Sequence, residues 1–206
     1  MKAFFNFITI NFDPPLQTPC DTPMLRKLYR PGKPNHWNIV EKETIDGIIS
    51  RTTKVRNRLI LELMARAGMR IGEVLKLTPE NVNDQKLILR QPKSGNESEM
   101  VFIPRRIADR LRKYIRDKGI QAGQRIFPIT YAAARLVVKK AGKLAGIVLR
   151  PHDLRRHAAT YASRSGVPIE IVSKVILRHV NLSTTQRYLG KISDTEATRW
   201  IENLYG

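Results

Sequence analysis

PHDLRRHAATYASRSGVPIEIVSKVILRHVNLSTTQRY, residues 151–188, is the stretch that decides how the rest of the chain is read. Pro151 suits the opening turn of a helix, where no hydrogen bond from its nitrogen is required. Gly166 marks the stop, so a helix is expected over about Pro151 to Ser165. His152 and Arg155, three apart, share one face near the start of that helix, where free N–H groups and the dipole favour an anion. Leu154, Ala158, Ala159 and Tyr161 supply packing on other faces. A second helix is expected from about Pro168 to Leu177, with Ile169, Val172, Val175 and Ile176 as its apolar stripe and His179 just past its end. Leu182 to Tyr188 then makes another capped turn, with Ser183 or Thr184 as N-cap. Nine positions separate His179 from Tyr188.

Two short helices and a tight turn can bring His152, Arg155, His179 and Tyr188 to one phosphate, with groups to clamp it, protonate it and attack it. A tyrosine hydroxyl has an ordinary pKa of about 10, so it needs nearby positive charge and a proton acceptor to act as a nucleophile.

The pattern resembles the tyrosine recombinase (phage integrase) family, whose signature runs His-x-x-Arg, a His or Trp, then Tyr nine positions later, with an Arg and a Lys earlier in the chain. The matching residues are His152-Asp153-Leu154-Arg155, His179 and Tyr188. Residues 65–77, ARAGMRIGEVLKL, resemble the family's Thr-Gly-Leu-Arg-x-x-Glu-Leu segment and make Arg70 the upstream arginine. The lysine is Lys93, in Lys93-Ser94-Gly95. The match runs from roughly Thr44 to Gly206.

The resemblance implies a mainly α fold with a small antiparallel β-sheet. It implies a site-specific DNA recombinase or integrase that cuts and rejoins strands through a 3′-phosphotyrosyl intermediate. Arg70 and Arg155 would clamp the non-bridging oxygens, Lys93 would protonate the leaving 5′ oxygen, His152 would move protons, His179 would hydrogen-bond the phosphate and Tyr188 would attack. Glu73, three residues after Arg70, would hold its guanidinium in place. No metal and no cofactor are required. Arg156, Lys174, Arg178 and Arg187 are candidate DNA contacts. One position departs from the family: where it usually has Leu-Gly-His, this chain has Leu177-Arg178-His179, so an arginine would have to make a left-handed turn that glycine makes freely.

Thirty-seven Lys and Arg against 18 Asp and Glu give a net charge of +19 over 206 residues. That excess favours a polyanion, double-stranded DNA first. With 42% hydrophobic residues the chain can bury a core. It lacks the run of about 18 apolar residues that a membrane span needs. Cys20 is the only cysteine, which permits neither an intrachain disulfide nor a cysteine-based zinc cluster and suits a reducing cytoplasm. A bacterial or archaeal, nucleoid-associated location is expected.

In chain order, Met1 to Ile10 is apolar and aromatic, and residues 1–12 read as a remnant of the helical core-binding domain that precedes the catalytic domain in the family. Phe4, Phe5, Phe7 and Ile8 fit part of a buried helix. Repeated prolines make residues 13–40 a linker, and residues 41–206 form the catalytic domain. Lys42 to Ile49, with Thr44 as a cap, and Thr53 to Ala67 are helices, the second carrying the apolar set Val55, Leu59, Ile60, Leu63, Met64 and Ala67 and stopping at Gly68. Lys86 to Arg90 and Met100 to Ile103 are strands, with Lys93 on the hairpin between them. Arg105 to Lys118 and Thr130 to Ala145 are amphipathic helices, with Phe127 a core anchor between them. Ser193 and Glu196 form a capping box for a tail helix, 193–205, whose Trp200, Ile201 and Leu204 must bury somewhere: on the same domain, or in a neighbouring protomer of a DNA-bound tetramer, as the resemblance implies. His36 and His157 are read as surface or packing groups.

Three readings stand side by side. The first is the strand-exchange enzyme. The second is a catalytically silent, truncated DNA-binding accessory protein that keeps the fold. The third is a helix-turn-helix regulator, which explains the charge but leaves the ordered series Arg70, Lys93, His152, Arg155, His179 and Tyr188 to coincidence.

Overall fold

Leu59-Ile60-Leu61-Glu62-Leu63-Met64-Ala65 is apolar on every face of a helix except at one carboxylate, and a helix of that kind is stable only when it is surrounded. A computed structural model, which describes residues 2–12, 39–90, 98–186, 189 and 194–205, shows how. The chain divides into two units, Met1–Trp37 and Asn38–Gly206. In the first, helix α1 (Lys2–Phe12) forms as expected. Its Phe4, Phe7, Ile10 and Phe12 are exposed and Phe5 and Ile8 half-buried, because apolar residues on all sides of so short a helix cannot share one buried face. The expected linker lies outside the described residues as far as residue 38.

The second unit runs α2 (Lys42–Arg51), α3 (Val55–Ala67), α4 (Ile71–Lys76), a three-stranded sheet of β1 (Val82–Asn83), β2 (Lys86–Arg90) and β3 (Ser98–Phe102), then α5 (Arg105–Asp117), α6 (Tyr131–Lys143) and α7 (Pro151–Arg164). A single α-turn, α8 (Ile169–Ile171), widens into a π-helical segment (Val172–Leu177), and α9 (Leu182–Gln186) and α10 (Asp194–Tyr205) follow. Helix α3 is the axis of the unit, packed against α2, α4, α5, α6 and α7. Leu59, Ile60, Leu61, Leu63 and Met64 are fully buried, and Ala65 nearly so. Burial is thus wider than the expected stripe, whereas Val55 at the open end is exposed. Glu62 is the cost of this position. It is buried on α3 and receives hydrogen bonding from Arg110 of α5, with Arg58 at 3.7 Å.

The sheet is antiparallel in the order β1-β2-β3, with Leu87 opposite Val101 and Leu89 opposite Glu99. Leu87, Leu89 and Val101 face the core. β3 begins at Ser98 rather than Met100, and that earlier start puts Glu99 on the buried face. Strand β1 is an addition to the expected hairpin. Tyr114 of α5 stacks on the buried Phe127, ring centroids 6.0 Å apart, which confirms that ring as a core anchor.

Several helix starts differ from expectation for local reasons. Thr44 lies inside α2, whose N-cap is Glu41. Thr130 caps α6 by accepting from the Ala133 N–H at 3.2 Å. Helix α9 begins at Leu182 after the Thr184 N–H reaches the Asn181 carbonyl, so Ser183 and Thr184 are helical residues and not caps. The tail helix is in place over Asp194–Tyr205, with Ser193 and the Glu196 and Leu204 side chains outside the described part.

Two helical glycines should respond to alanine with opposite signs. A Cβ at Gly142 would lie 2.6 Å from Leu149 Cβ and 2.7 Å from the Ile147 carbonyl oxygen. Because backbone must shift there, Gly142→Ala is expected to destabilise by about 1–3 kcal/mol despite its better helix propensity. Gly47 in α2 has nothing within 4 Å of a built Cβ, so Gly47→Ala is expected to stabilise by about 0.5–1 kcal/mol. Urea unfolding of both variants checks the pair.

Candidate active site

Helix α3 can end where it does because Gly68 takes the left-handed conformation, φ 59° and ψ 23°, closing the helix with its N–H on the Leu63 carbonyl. The same residue faces the π-helical segment so closely that a Cβ on it would sit 2.9 Å from both Cγ2 and the carbonyl oxygen of Ile176. The chain then turns through the buried Met69 to Arg70, the N-cap of α4. Glu73 holds this arginine twice. Its Oε2 accepts from the Arg70 N–H at 2.8 Å and its Oε1 accepts from the guanidinium Nη1 at 2.6 Å. The local pair expected from the three-residue spacing is therefore made by backbone and side chain together.

Helix α7 opens with Pro151 in its first turn, and Asp153 Oδ2 accepts from the Arg150 N–H at 2.8 Å. His152 remains exposed at this end, while Arg155, one turn on, is 1% exposed. Its guanidinium donates to two backbone carbonyls, Gly68 and Leu177. One buried side chain thus ties the turn before Arg70 to the residue that ends the π-helical segment. Arg70, Glu73, His152 and Arg155 line a single cavity of about 610 Å³, with Tyr131 of α6 on its rim.

The expected second helix keeps α-helical form only over Ile169–Ile171. From Val172 to Leu177 it is π-helical and ends on Arg178 at φ 52°, ψ 52°. The left-handed turn that the sequence asks of an arginine is made by that arginine. The His179 N–H closes the segment on the Ser173 carbonyl at 2.9 Å. The imidazole is 9% exposed, and its Nδ1 lies 3.0 Å from the Thr185 hydroxyl, which is itself 2.8 Å from the Ser173 hydroxyl. Thr185 and Ser173 carry no motif and escaped the sequence reading. Their only trace in it is position, on either side of His179.

Burial, and then the charges of Arg155, Arg70 and Arg178, lower the His179 pKa from 6.5 to about 4. His152 is also held below its ordinary value, by partial burial first and then by Arg155 and Arg156. The charges of Arg155 and Arg70 thus act on both histidines, of which His152 lines the cavity and His179 lines a second pocket with Arg178 and Glu99. For Glu73, burial acts to raise the pKa, but Arg178 and then Arg70 outweigh it and leave the carboxyl below its usual range.

Of the other predicted site residues, Lys93, Arg187 and Tyr188 lie outside the described residues. Arg156 and Arg178 call for correction as DNA contacts. Both are 6% exposed and turned toward carboxylates, Arg156 to Asp153 at 3.4 Å and Arg178 to Glu73 and Glu99 at 2.6 and 3.1 Å. A guanidinium engaged this way inside the protein is not offered to a groove. Lys174 is exposed, on the outside of the π-helical segment. His157 is structural, with its ring nitrogen Nδ1 2.9 Å from the Val40 carbonyl oxygen and its face stacked on Tyr161. Trp200 lies over Gly166 of its own chain, 3.1 Å from a Cβ built there, while Ile201 is exposed.

With this geometry in view, the comparisons with known proteins are decisive for ancestry. The profile of the phage integrase family matches residues 39–193. The chain belongs to the phage integrase family. Tyrosine recombinase XerA of Saccharolobus solfataricus is 26% identical over 203 residues, covering 98% of this chain and 64% of that relative. The chain therefore spans less than two thirds of the length of this curated relative. The crystal structure of XerA recombinase shares the fold with a TM-score of 0.71 at 21% identity, covering 100% of this chain and 74% of that one. So does the Tn1549 transposon integrase in complex with transposon right-end DNA, with a TM-score of 0.66 at 16% identity, covering 100% of this chain and 76% of that one. The mainly α architecture with its small antiparallel sheet is the integrase catalytic-domain fold. Among the described residues of this family member, no helix is long and apolar enough to cross a membrane.

The lowered His179 pKa has a measurable consequence. A histidine whose folded value is about 4 and whose unfolded value is near 6.5 refuses a proton that the unfolded chain accepts. Its contribution to stability is therefore complete above pH 6.5 and is lost as pH falls toward 4. An NMR titration of His179 should show a midpoint near 4, and His179→Gln should flatten the fall in thermal midpoint across that window. A midpoint at 6 or above means that the ring is neither buried nor under the three arginines as described.

Proposed function

We propose that this chain is the catalytic domain of a site-specific DNA recombinase or integrase, acting through a 3′-phosphotyrosyl intermediate. The observation that carries the proposal is the shared cavity of Arg70, His152 and Arg155, with His179 under the influence of the same arginines. A cavity lined by two guanidiniums suits a phosphodiester, because both are fixed cations and a guanidinium carries five N–H donors, more than the contacts that hold each one in place use. As the pentacoordinate transition state builds charge on those oxygens, the fixed cations stabilise it more than the ground state.

In this mechanism the Tyr188 oxygen attacks phosphorus, a P–O5′ bond breaks, and Lys93 protonates the departing 5′ oxygen. His152 takes up or returns the phenolic proton. The energy of the broken bond is retained in the protein–DNA ester, so the reverse attack by a 5′-hydroxyl of another strand rejoins the backbone. His179 is neutral at pH 7 in the free protein and donates one hydrogen bond to the phosphate. Thr185 donates to the Ser173 hydroxyl in the free protein; for the donor to be Nε2–H, the Thr185 hydroxyl turns its proton to Nδ1 and accepts from Ser173 instead. The spacing of the three groups supports that relay.

The surrounding charge of +19 supports double-stranded DNA as the partner. A homo-oligomer fits the same reading. The seat of Trp200 on Gly166 is one that the tail helix of a second copy would fit equally well, and exchange of identical elements is a low-cost route to closed rings. An assembly of four on DNA, nucleoid-associated in a bacterial or archaeal cell, is the form proposed.

The test is a nicked duplex from which the cleaved fragment escapes. Wild-type protein should give a covalent protein–DNA band on a denaturing gel, and Tyr188→Phe should give none. Arg70→Lys should lower the rate of its formation by about 10²–10³-fold. Wild-type protein that binds the duplex with steep salt dependence and never forms the band would instead be the silent accessory protein.

A further inference from the structure

In the usual family pattern the position before this histidine is glycine, and here it is Arg178. Its backbone accepts the left-handed conformation at φ 52°, which side chains other than glycine's adopt reluctantly. The side chain gives a reason. Arg178 is 6% exposed, and its guanidinium makes three directed contacts. Nη2 donates to Glu73 Oε2 at 2.6 Å, Nε donates to Glu99 Oε2 at 3.1 Å, and Nη1 donates to the Ile176 carbonyl at 2.8 Å. The fork therefore joins three pieces of chain that are distant in sequence: the first turn of α4, the buried face of β3, and the end of the π-helical segment.

Glu73 is the point at which this matters. Its Oε2 is shared between the Arg70 N–H and Arg178 Nη2, and its Oε1 holds the Arg70 guanidinium. We infer that Arg178 is a positioning residue for the phosphate site, fixing the place of Glu73 and through it the aim of the Arg70 guanidinium. The inference rests on the recombinase reading of the site. It assigns to Arg178 a role that glycine cannot have, and it makes Glu99 a second carboxylate that shares the Arg178 guanidinium with Glu73 and so weakens its hold on Glu73.

The charges support it. Arg70, Arg155 and Arg178 all act on His179, while Glu73 and Glu99 are the carboxylates facing Arg178. Arg178, Glu99 and His179 line one pocket, and Arg70, Glu73 and Arg155 line the cavity, so Glu73 links the two. Glu99 also stands at the second residue of β3, in the strand paired with β2, so the network ties this end of the sheet to the arginines.

Ionisation gives the readout that a merely structural role would not move. Glu73 is faced by Arg70 on its own turn and by Arg178 at the end of the π-helical segment with Glu99 of β3 behind it, and it shares its cavity with Lys76 of its own helix, Glu80, and His152 and Arg155 of α7. Its carboxyl is held below 4.5. What it contributes is present above that value and is lost as pH falls through the lower folded one. Removing Arg178 raises the folded value, so the loss begins at a higher pH. Removing Glu99 takes a negative charge away from the pair and moves the loss to a lower pH.

The experiment uses the full chain with Arg178→Gln, Arg178→Gly and Glu99→Gln. Three quantities are followed: formation of the covalent adduct on a nicked duplex at saturating DNA across pH, affinity for the same duplex by fluorescence anisotropy, and thermal midpoint against pH. Arg178→Gln should slow adduct formation by about 10–100-fold while DNA affinity changes by less than about threefold, and its acid limb should move up in both rate and thermal midpoint. Arg178→Gly relaxes the backbone yet should show the same loss. Arg178→Gly that matches wild type in rate and acid limb overturns the inference, since the side chain would then only fill space. Should both Arg178 variants fail to fold, Glu99→Gln decides: an acid limb displaced downward supports the network, and an unmoved one refutes it. Absence of adduct from wild-type protein would sink the recombinase reading, while the thermal acid limbs would still judge the Arg178 network.

Discussion

A guanidinium at 1% exposure is the constraint from which the site follows. Arg155 cannot lose its proton and cannot reach bulk water, so it must be met inside by oxygen atoms. Those include the carbonyls of Gly68 and Leu177, neither of which can be supplied by a side-chain substitution. The requirement fixes backbone, and so it fixes what the backbone carries next: Arg70 two residues past Gly68, and His179 two residues past Leu177. Replacing Arg155 by a neutral group that cannot donate leaves those buried carbonyls unpaired, at a cost of about 1–3 kcal/mol each. The group that best suits a phosphate is in this way also the group that assembles its neighbours.

Around that centre the carboxylates have an unusual distribution. Glu62, Glu73 and Glu99 are all at least largely removed from solvent, and each is answered by arginine from another element or its own turn. In a chain with twice as many cations as anions, acidic groups are available to serve as internal fixings while the surplus of positive charge remains for a polyanion. Arg66 and Asp46 extend the same habit between α3 and α2. The folded unit thus separates two uses of arginine, one as buried mortar and one as surface field, within a single composition.

Much of this was legible in the residues. The periodic apolar positions of α3, the stop at Gly68, the pairing of Arg70 with Glu73 and the proline-led start of α7 are local rules, and local rules survive tertiary packing. The order of Arg70, His152, Arg155 and His179 carried the family because several weak signals in sequence multiply. What was missed depended on contacts between distant segments. Nothing in Glu99 marks it as buried, since that follows from a strand starting two residues early and meeting Arg178, 79 positions away. Arg156 and Arg178 look like groove-seeking cations until their carboxylates are seen. Helix period alone does not separate α from π over six residues, so Val172–Leu177 read as ordinary helix.

That wide segment has a consequence of its own. A π-turn holds one residue more than an α-turn covering the same axial distance, and wide turns of this kind sit often at functional sites. Each residue added to or taken from a helix rotates everything downstream by about 100°. Shortening Val172–Leu177 by one position would therefore swing the Leu177 carbonyl off Arg155 and carry the imidazole that follows to another side of the bundle. The surplus residue works like a phase plate: it stores no energy of interest, yet it dials which atoms of the next loop look inward.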